Sequence, residues 1–498
     1  MEQKEQTLKQ KAVSGLFWKL MENGGNQGVS FLITVLLARL IDPDRYGVLS
    51  ITVIFTSIAG VFVQRSFNLS LVQKKDADEL DFSSVFWFSL ALAGLLYAGL
   101  FLAAPAIARY YDTPEVLPVL RAISLILLFG AVASVQYAIV MREMTFRRRF
   151  VVSLVSTVAA GGVGIAMAYL GFGVWALVAQ QLLDSLIMCV GLTFATKWLP
   201  KLRFSFSRLW RLFSFGWKLL LSSLLETVYS DLSGLVIGKR YNTSLLAYYD
   251  RGRKFPQILG TNLSGAIQAA MFPTFATAQD DPPRLLAMVR RSVRTGTFLV
   301  FPMLAGLAAV ATPLVGEVLT EKWLPCVPFL QVFCVTFAMY PVDATVLQAI
   351  NALGRSDIYL KLEILKKAAG ILLLCGAVFL LDTPLTLAWA LAATAVLSVM
   401  FNAVPIKRLV GYSYGMQLKD LLPPLLLSVI MGVAVSAAAL LPLSGWALLA
   451  VQIPLGVLVY AGGAKIANME SLVYILNTIT ELKRKKRDGG SVRGGNES

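Results

Sequence analysis

The chain has 498 residues, 57% of them hydrophobic and only 15% charged, with a mean hydropathy of +0.68. Soluble domains are typically about 45–50% apolar and about 25% charged, so an ordinary water-soluble fold is excluded. The absence of histidine excludes an imidazole metal site, and the basic residues behind the formal charge of +16 sit in short loops between apolar runs, where they set membrane topology rather than bind nucleic acid.

Apolar runs near the roughly 20-residue length of a membrane-crossing helix recur along the chain, and about 14 can be delimited. They are predicted at 13–40, 47–66, 83–106, 117–140, 150–170, 174–196, 213–237, 246–271, 295–319, 327–350, 364–381, 385–405, 421–441 and 446–466. Ten-residue alternating segments, the signature of a β-barrel, are absent. The eighth run is the least apolar, because Asp250, Arg251, Arg253 and Lys254 fall in its first half. Residues 1–11 are polar and lead straight into the first run, without the pattern of a cleavable signal peptide. Cys189, Cys326, Cys334 and Cys375 are scattered through apolar stretches and are expected to be core residues, neither disulfides nor ligands.

Charge orients the runs. One set of alternate loops carries Lys4, Lys9, Lys11, Lys74, Lys75 and the Arg142–Arg149 cluster, then Lys197–Arg211, Arg284–Arg294, Arg355–Lys367, Lys407, Arg408 and Lys419. The Lys483–Arg487 run of the tail belongs to the same side, and the opposite loops are poorer in Lys and Arg. Such asymmetry places both termini in the cytoplasm. The aromatic and basic segment Trp198–Trp210 is expected to lie in the interface as a connector. No loop is long enough for a catalytic domain, no G-x-x-x-x-G-K phosphate loop is present, and the charged, Gly-rich tail is expected to be disordered.

The first and seventh runs resemble each other at an offset of 199 residues: Trp18-Lys19-Leu20 matches Trp217-Lys218-Leu219. Each then reaches a basic residue and a short turn leading to an aromatic, Arg39 to Tyr46 and Arg240 to Tyr248. Both runs start on the same side, so the repeat is parallel. Lys19, Asn23, Gln27, Ser30 and Thr34 fall on one helical face, which Glu22 and Asn26 widen. Lys218, Ser222, Glu226, Tyr229 and Ser233 repeat the spacing, whereas Asp231 lies off that face and finds no obvious place. In the eighth run Asp250, Arg253, Gln257, Thr261, Ser264 and Gln268 form another stripe, which Pro256 is positioned to break. Ionisable groups at membrane depth normally line a bundle interior or an aqueous cavity. Interhelical pairing, Lys19 with Glu22 or Lys218 with Glu226, is the structural alternative. Lys19, Lys218, Arg251, Arg253 and Lys254 are suited to an anionic group such as a phosphate.

The string LLARLIDPDRYG (36–47) resembles the end of the first span in Wzx-type polysaccharide flippases, of the multidrug/oligosaccharidyl-lipid/polysaccharide exporter superfamily. LVQKKD (71–76), APAIARYYDTPEVLPVLRAISL (104–125), MREMTFRRR (141–149) and GFGVWALVAQQ (171–181) extend the likeness. IGKRYNTSLLAYYDRG (237–252), MFPTFATAQDD (271–281) and ALGRSDIYLKLEILKK (352–367) carry it along nearly the whole chain, in a form similar to the colanic-acid exporters or lipopolysaccharide biosynthesis proteins.

The resemblance implies an all-α integral membrane fold: two parallel six-helix lobes around a central cationic cavity, followed by two C-terminal helices. On this chain the parts would be an N-terminal lobe at 1–197, an interfacial linker at 198–212, a second lobe at 213–408, two extra helices at 409–470 and a basic tail at 471–498. It implies a non-enzymatic transporter of the bacterial inner membrane that moves undecaprenyl-diphosphate-linked oligosaccharide from the cytoplasmic to the periplasmic leaflet. A polysaccharide polymerase and glycosyltransferases would be its partners. The family offers no short motif to carry over, so the cavity candidates rest on the helical faces: Lys19, Glu22, Asn23, Asn26, Lys218, Glu226, Tyr229, Asp250, Arg251, Arg253 and Lys254. No cofactor is expected; proton or sodium coupling would use Glu22, Glu226 or Asp250. An exporter of amphiphilic cations should carry a net acidic cavity, and a membrane polymerase or glycosyltransferase needs large loops or carboxylate clusters, so both are weaker readings. A scaffold for an assembly complex would leave the buried charges unexplained.

Overall fold

A computed structural model describes residues 24–64, 68–74, 76–381, 383–474, 477 and 480, and among them there are helices and no β-strand. Among the described residues, eleven segments are long and apolar enough to cross a membrane. The helix over 24–40 (α1), α10 (Thr243–Ala276) and α15 (Ser356–Leu380) are further long helices outside that set. The first is described only from residue 24, and the other two are long but carry charge. The chain packs as two compact units, residues 1–250 and 251–498.

The first unit contains α1, α2 (Pro43–Gln64), the short α3 (Asn68–Gln73) and α4 (Glu79–Tyr110), then α5 (Val116–Ile123) and α6 (Ile126–Glu143). It continues with α7 (Phe146–Tyr169), α8 (Val174–Thr196), α9 (Phe206–Arg240) and the start of α10. Local chemistry sets the ends. Asp78 caps α4 in a reciprocal box with Asp81, and Pro43 opens α2 where a missing N–H costs nothing. The predicted span at 117–140 bends at Ser124 and Leu125, between α5 and α6.

The 198–212 connector belongs to this unit and is helical from Phe206 onward. Its non-helical part is fastened to α4: Trp87 Nε1 donates to the Lys201 carbonyl (2.9 Å), and the Ser83 and Ser84 hydroxyls accept from the Lys201 and Ser205 amides (3.1 and 3.0 Å). Arg208 pairs with Asp78 and holds that exposed carboxyl below the usual carboxylate range, so the pair persists until the pH falls well under it. Leu209 and Leu212 complete a core with Leu71, Val85, Phe86 and Val135.

The second unit holds the rest of α10, α11 (Pro282–Ala309), α12 (Ala311–Val318) and a 3₁₀ turn at Glu321–Cys326. α13 (Val327–Ala338), α14 (Tyr340–Ala352), α15, α16 (Pro384–Val410), α17 (Tyr414–Ala437) and α18 (Gly445–Ile466) follow. Asp281 and Ser413 cap α11 and α17 by accepting from the Arg284 and Met416 amides. The predicted span at 327–350 is two helices that meet at Met339, just before Pro341.

Pro256 does not break α10, which runs unbroken from Thr243 to Ala276. A packed neighbour supports the helix there: a Cβ at Gly252, one turn before the proline, would lie 2.7 Å from Phe329 Cβ of α13. Lys366, predicted with the basic loops, instead lies ten residues into α15 and is 6% exposed. Cys189, Cys326 and Cys334 are buried as expected, but Cys375 is exposed on α15. Large apolar side chains such as Leu102, Phe194 and Phe379 are more than three-quarters exposed, as lipid-facing residues are.

Candidate functional site

The repeat is visible in its turns. α1 ends at residue 40 and α2 starts at Pro43; α9 ends at Arg240 and α10 starts at Thr243, with one two-residue break in each case. Within the first unit these turns touch. The Thr243 hydroxyl lies 3.3 Å from Asp44 Oδ1, and the Ser244 hydroxyl donates to the same oxygen. The Asn242 side chain accepts from the Leu245 amide at 2.8 Å and shapes the second turn. Lys239 pairs with Asp112 at 3.0 Å and Arg45 with Glu115, which ties the end of α9 and the start of α2 to the turn between α4 and α5.

Of the predicted polar faces, Lys19, Glu22 and Asn23 lie outside the described residues, and Lys218 lies on α9 without a described side chain. Asn26 is half-buried on α1 and donates to the Ser153 hydroxyl of α7. Along α9, Glu226 is exposed, Tyr229 half-buried and Ser233 buried. Asp231, which the sequence left without a place, accepts from the Ser57 hydroxyl of α2 at 2.9 Å.

On α10, Asp250 is half-buried at the edge of the first unit. In the second unit Arg251 and Arg253 are half-buried and Lys254 is exposed. The Arg251 guanidinium lies 5.4 Å from the ring centroid of the fully buried Trp323, a cation–π contact that fixes its direction. Thr261 turns its hydroxyl back to the Gln257 carbonyl at 2.7 Å, and Ser264 is buried. The structure thus brings Arg251, Arg253 and Lys254 onto one short stretch of helix with net positive charge.

Two polar features at membrane depth escaped the sequence reading. Asp184 sits midway along α8, with one carboxyl oxygen buried and without a hydrogen-bond partner among the described residues. In the second unit Asp343 of α14 accepts from Lys366 Nζ of α15 and Asn402 Nδ2 of α16, both at 2.8 Å. Lys366 also donates to Glu363 at 3.2 Å. A lone carboxylate inside an apolar run was the available signal for both. No group of three or more potential metal-ligating side chains occurs among the described residues.

Residues 36–328 match the family described as polysaccharide biosynthesis protein. The succinoglycan biosynthesis transport protein ExoT of Rhizobium meliloti (strain 1021) is 26% identical over 68% of this chain and 69% of its own. The lipopolysaccharide biosynthesis protein WzxC of Escherichia coli (strain K12) is 24% identical over 72% of this chain and 74% of its own. Among solved structures, the lipid II flippase MurJ in its inward closed conformation is similar with a TM-score of 0.72, at 15% identity, over 91% of this chain and 98% of that one. This likeness shows the fold.

Proposed function

Because the chain belongs to the polysaccharide biosynthesis protein family, we propose that it is a flippase for undecaprenyl-diphosphate-linked oligosaccharide, working between the leaflets of a bacterial inner membrane. The observation that carries this reading is the family match over residues 36–328; relatives named for succinoglycan transport and lipopolysaccharide biosynthesis support it. The cargo must take a hydrated glycan and a diphosphate across about 30 Å of hydrocarbon. Polar helix faces replace water around the head group, and the prenyl tail stays in lipid. Arg251, Arg253 and Lys254, with Lys19 and Lys218, supply cations for the diphosphate. Their positive balance favours an anionic cargo over the amphiphilic cations of a drug exporter. Translocation makes and breaks no covalent bond, so no catalytic residue is assigned.

The test is export of lipid-linked glycan in a flippase-deficient strain, with protein abundance measured alongside. The five-fold Gln variant of Lys19, Lys218, Arg251, Arg253 and Lys254 should lose export at normal abundance. Since Arg251 also packs on Trp323, Lys19→Gln and Lys218→Gln are made separately; each should fail where Lys→Arg works. Normal export from a stable five-fold variant would remove the cationic cluster from the pathway.

The distribution of basic residues among the loops supports cytoplasmic termini. In a cysteine-free background, a cysteine beside Arg148 should resist a membrane-impermeant thiol reagent in intact cells and react in inverted vesicles. Labelling in intact cells would reverse the orientation. Energy is supplied by a proton or sodium gradient. Glu22, Glu226 and Asp250 are candidate coupling carboxylates, and Asp184 joins them because one of its carboxyl oxygens is buried without a hydrogen-bond partner among the described residues. Asp184→Asn should keep its abundance and lose about tenfold or more of gradient-driven export; unchanged export would discard it.

A further inference from the structure

On the basic-loop face of the second unit, the first turns of α11 and the segment after α18 line a cavity of about 550 Å³. A smaller one of about 200 Å³, sharing Arg294, Glu470 and Ser471 with it, reaches the start of α17. Asp420 of α17, itself buried, organises the walls. Arg290 forks onto both its oxygens at 2.9 Å, and Arg294 Nε donates to Oδ1 at 2.7 Å. Arg294 also reaches Glu470 at 2.6 Å. The two carboxylates therefore hold two arginines in fixed directions.

Two further cations have no such compensation. Arg291 lines the larger cavity, with its guanidinium 5.2 Å from the ring centroid of Tyr474 and no ion pair among the described residues. Lys419 lines the smaller one and is exposed. Four cations thus face two carboxylates, and the local balance is positive. From Lys419, α17 continues along one face with Leu422, Leu426, Val429 and Val433, all exposed. The cationic cleft and the exposed apolar stripe of α17 thus meet at Lys419, at the level of the basic loops.

We propose that this cleft is a binding site for an anionic phospholipid: its phosphate sits among Arg291, Lys419 and the ordered arginines, and its acyl chains lie along the α17 stripe. A free inorganic anion would use the cations alone and leave the stripe without a role, whereas a phosphate-bearing lipid uses both. Basic pockets between membrane helices on the positively charged side suit such head groups. The site is independent of the cargo, so loss or retention of glycan export does not decide it.

The test uses the full-length protein purified in detergent and titrated by native mass spectrometry with dioleoylphosphatidylglycerol or dioleoylphosphatidylcholine. The wild type should prefer the phosphatidylglycerol. R291Q/K419Q leaves every bond to Asp420 and Glu470 in place, so the fold is retained; its affinity for that lipid should fall by about tenfold or more. Lys407 and Arg408, exposed on α16 and outside the cleft, give the control K407Q/R408Q, which should bind like the wild type. No preference between the two lipids, or equal losses in both variants, would overturn the site. Competition by millimolar inorganic phosphate alone would make it a free-anion site, and tight binding of farnesyl diphosphate without phosphatidylglycerol binding would make it a cargo contact; either result overturns the phospholipid assignment.

Discussion

Replacing Lys366 with Met should destabilise the protein by about 3–5 kcal/mol, the usual cost of leaving one member of a buried ion pair alone. Counted from the turn that joins α14 to α15, Asp343 lies nine residues into α14 and Lys366 ten residues into α15, a depth of about 14–15 Å at 1.5 Å per residue. The Lys366 side chain is 7% exposed and that of Asp343 27%, so water can relieve only part of the penalty. Once the ammonium is gone, Asp343 keeps a single strong donor, Asn402, and Glu363 loses its shorter contact. The single variant should unfold at a markedly lower SDS fraction in mixed micelles and accumulate poorly in the membrane. Asp343→Asn combined with Lys366→Met removes both charges and should recover most of the loss. A single variant as stable as the wild type would mean that the pair is effectively solvated.

That pair also marks where sequence reasoning stops. Hydropathy located the spans because lipid demands long apolar runs, and loop charge gave an expected orientation. Both signals are sums over many residues and tolerate a few misplaced ones. Lys366 was grouped with Arg355 and Lys361 for the same reason: a lysine near a basic loop looks like a loop residue until its partner, 23 residues earlier, is known. Asp231 had no visible role because its partner Ser57 is 174 residues away. The bend at Met339 carries little signal, since both of its helices are apolar. Pro256 misled in the opposite direction, because the rule for an isolated helix omits the packed neighbour at Gly252. The polar stripes on α9 and α10 were legible, since a periodicity near 3.6 residues survives in any helix. What each stripe faces depends on packing between segments far apart in the chain, and periodicity holds no information on that.

Gly47 is where the repeat and the packing meet, and Gly47→Ala should be among the most damaging single-methyl changes in the chain. A Cβ at Gly47 would fall 1.9 Å from the Thr243 carbonyl oxygen and 2.3 Å from its carbon. The obstacle is backbone at the first residue of α10, so no side-chain rotation relieves it, and one turn must move off the other. Overpacking of this kind costs about 1–3 kcal/mol in soluble cores and more where the backbone cannot yield. The move would also pull Asp44 from Thr243 and Ser244. Gly47→Ala should therefore lower the unfolding midpoint in micelles and reduce abundance in the membrane, whereas Gly94→Ala, with nothing within 4 Å of the added methyl, should be neutral or slightly stabilising. A second substitution locates the clash. Thr243→Gly removes the threonine side chain and leaves its carbonyl, so it should fail to rescue Gly47→Ala. Rescue would show that side-chain crowding, not contact between two backbones, makes glycine necessary at the point where the turns of the two repeats meet.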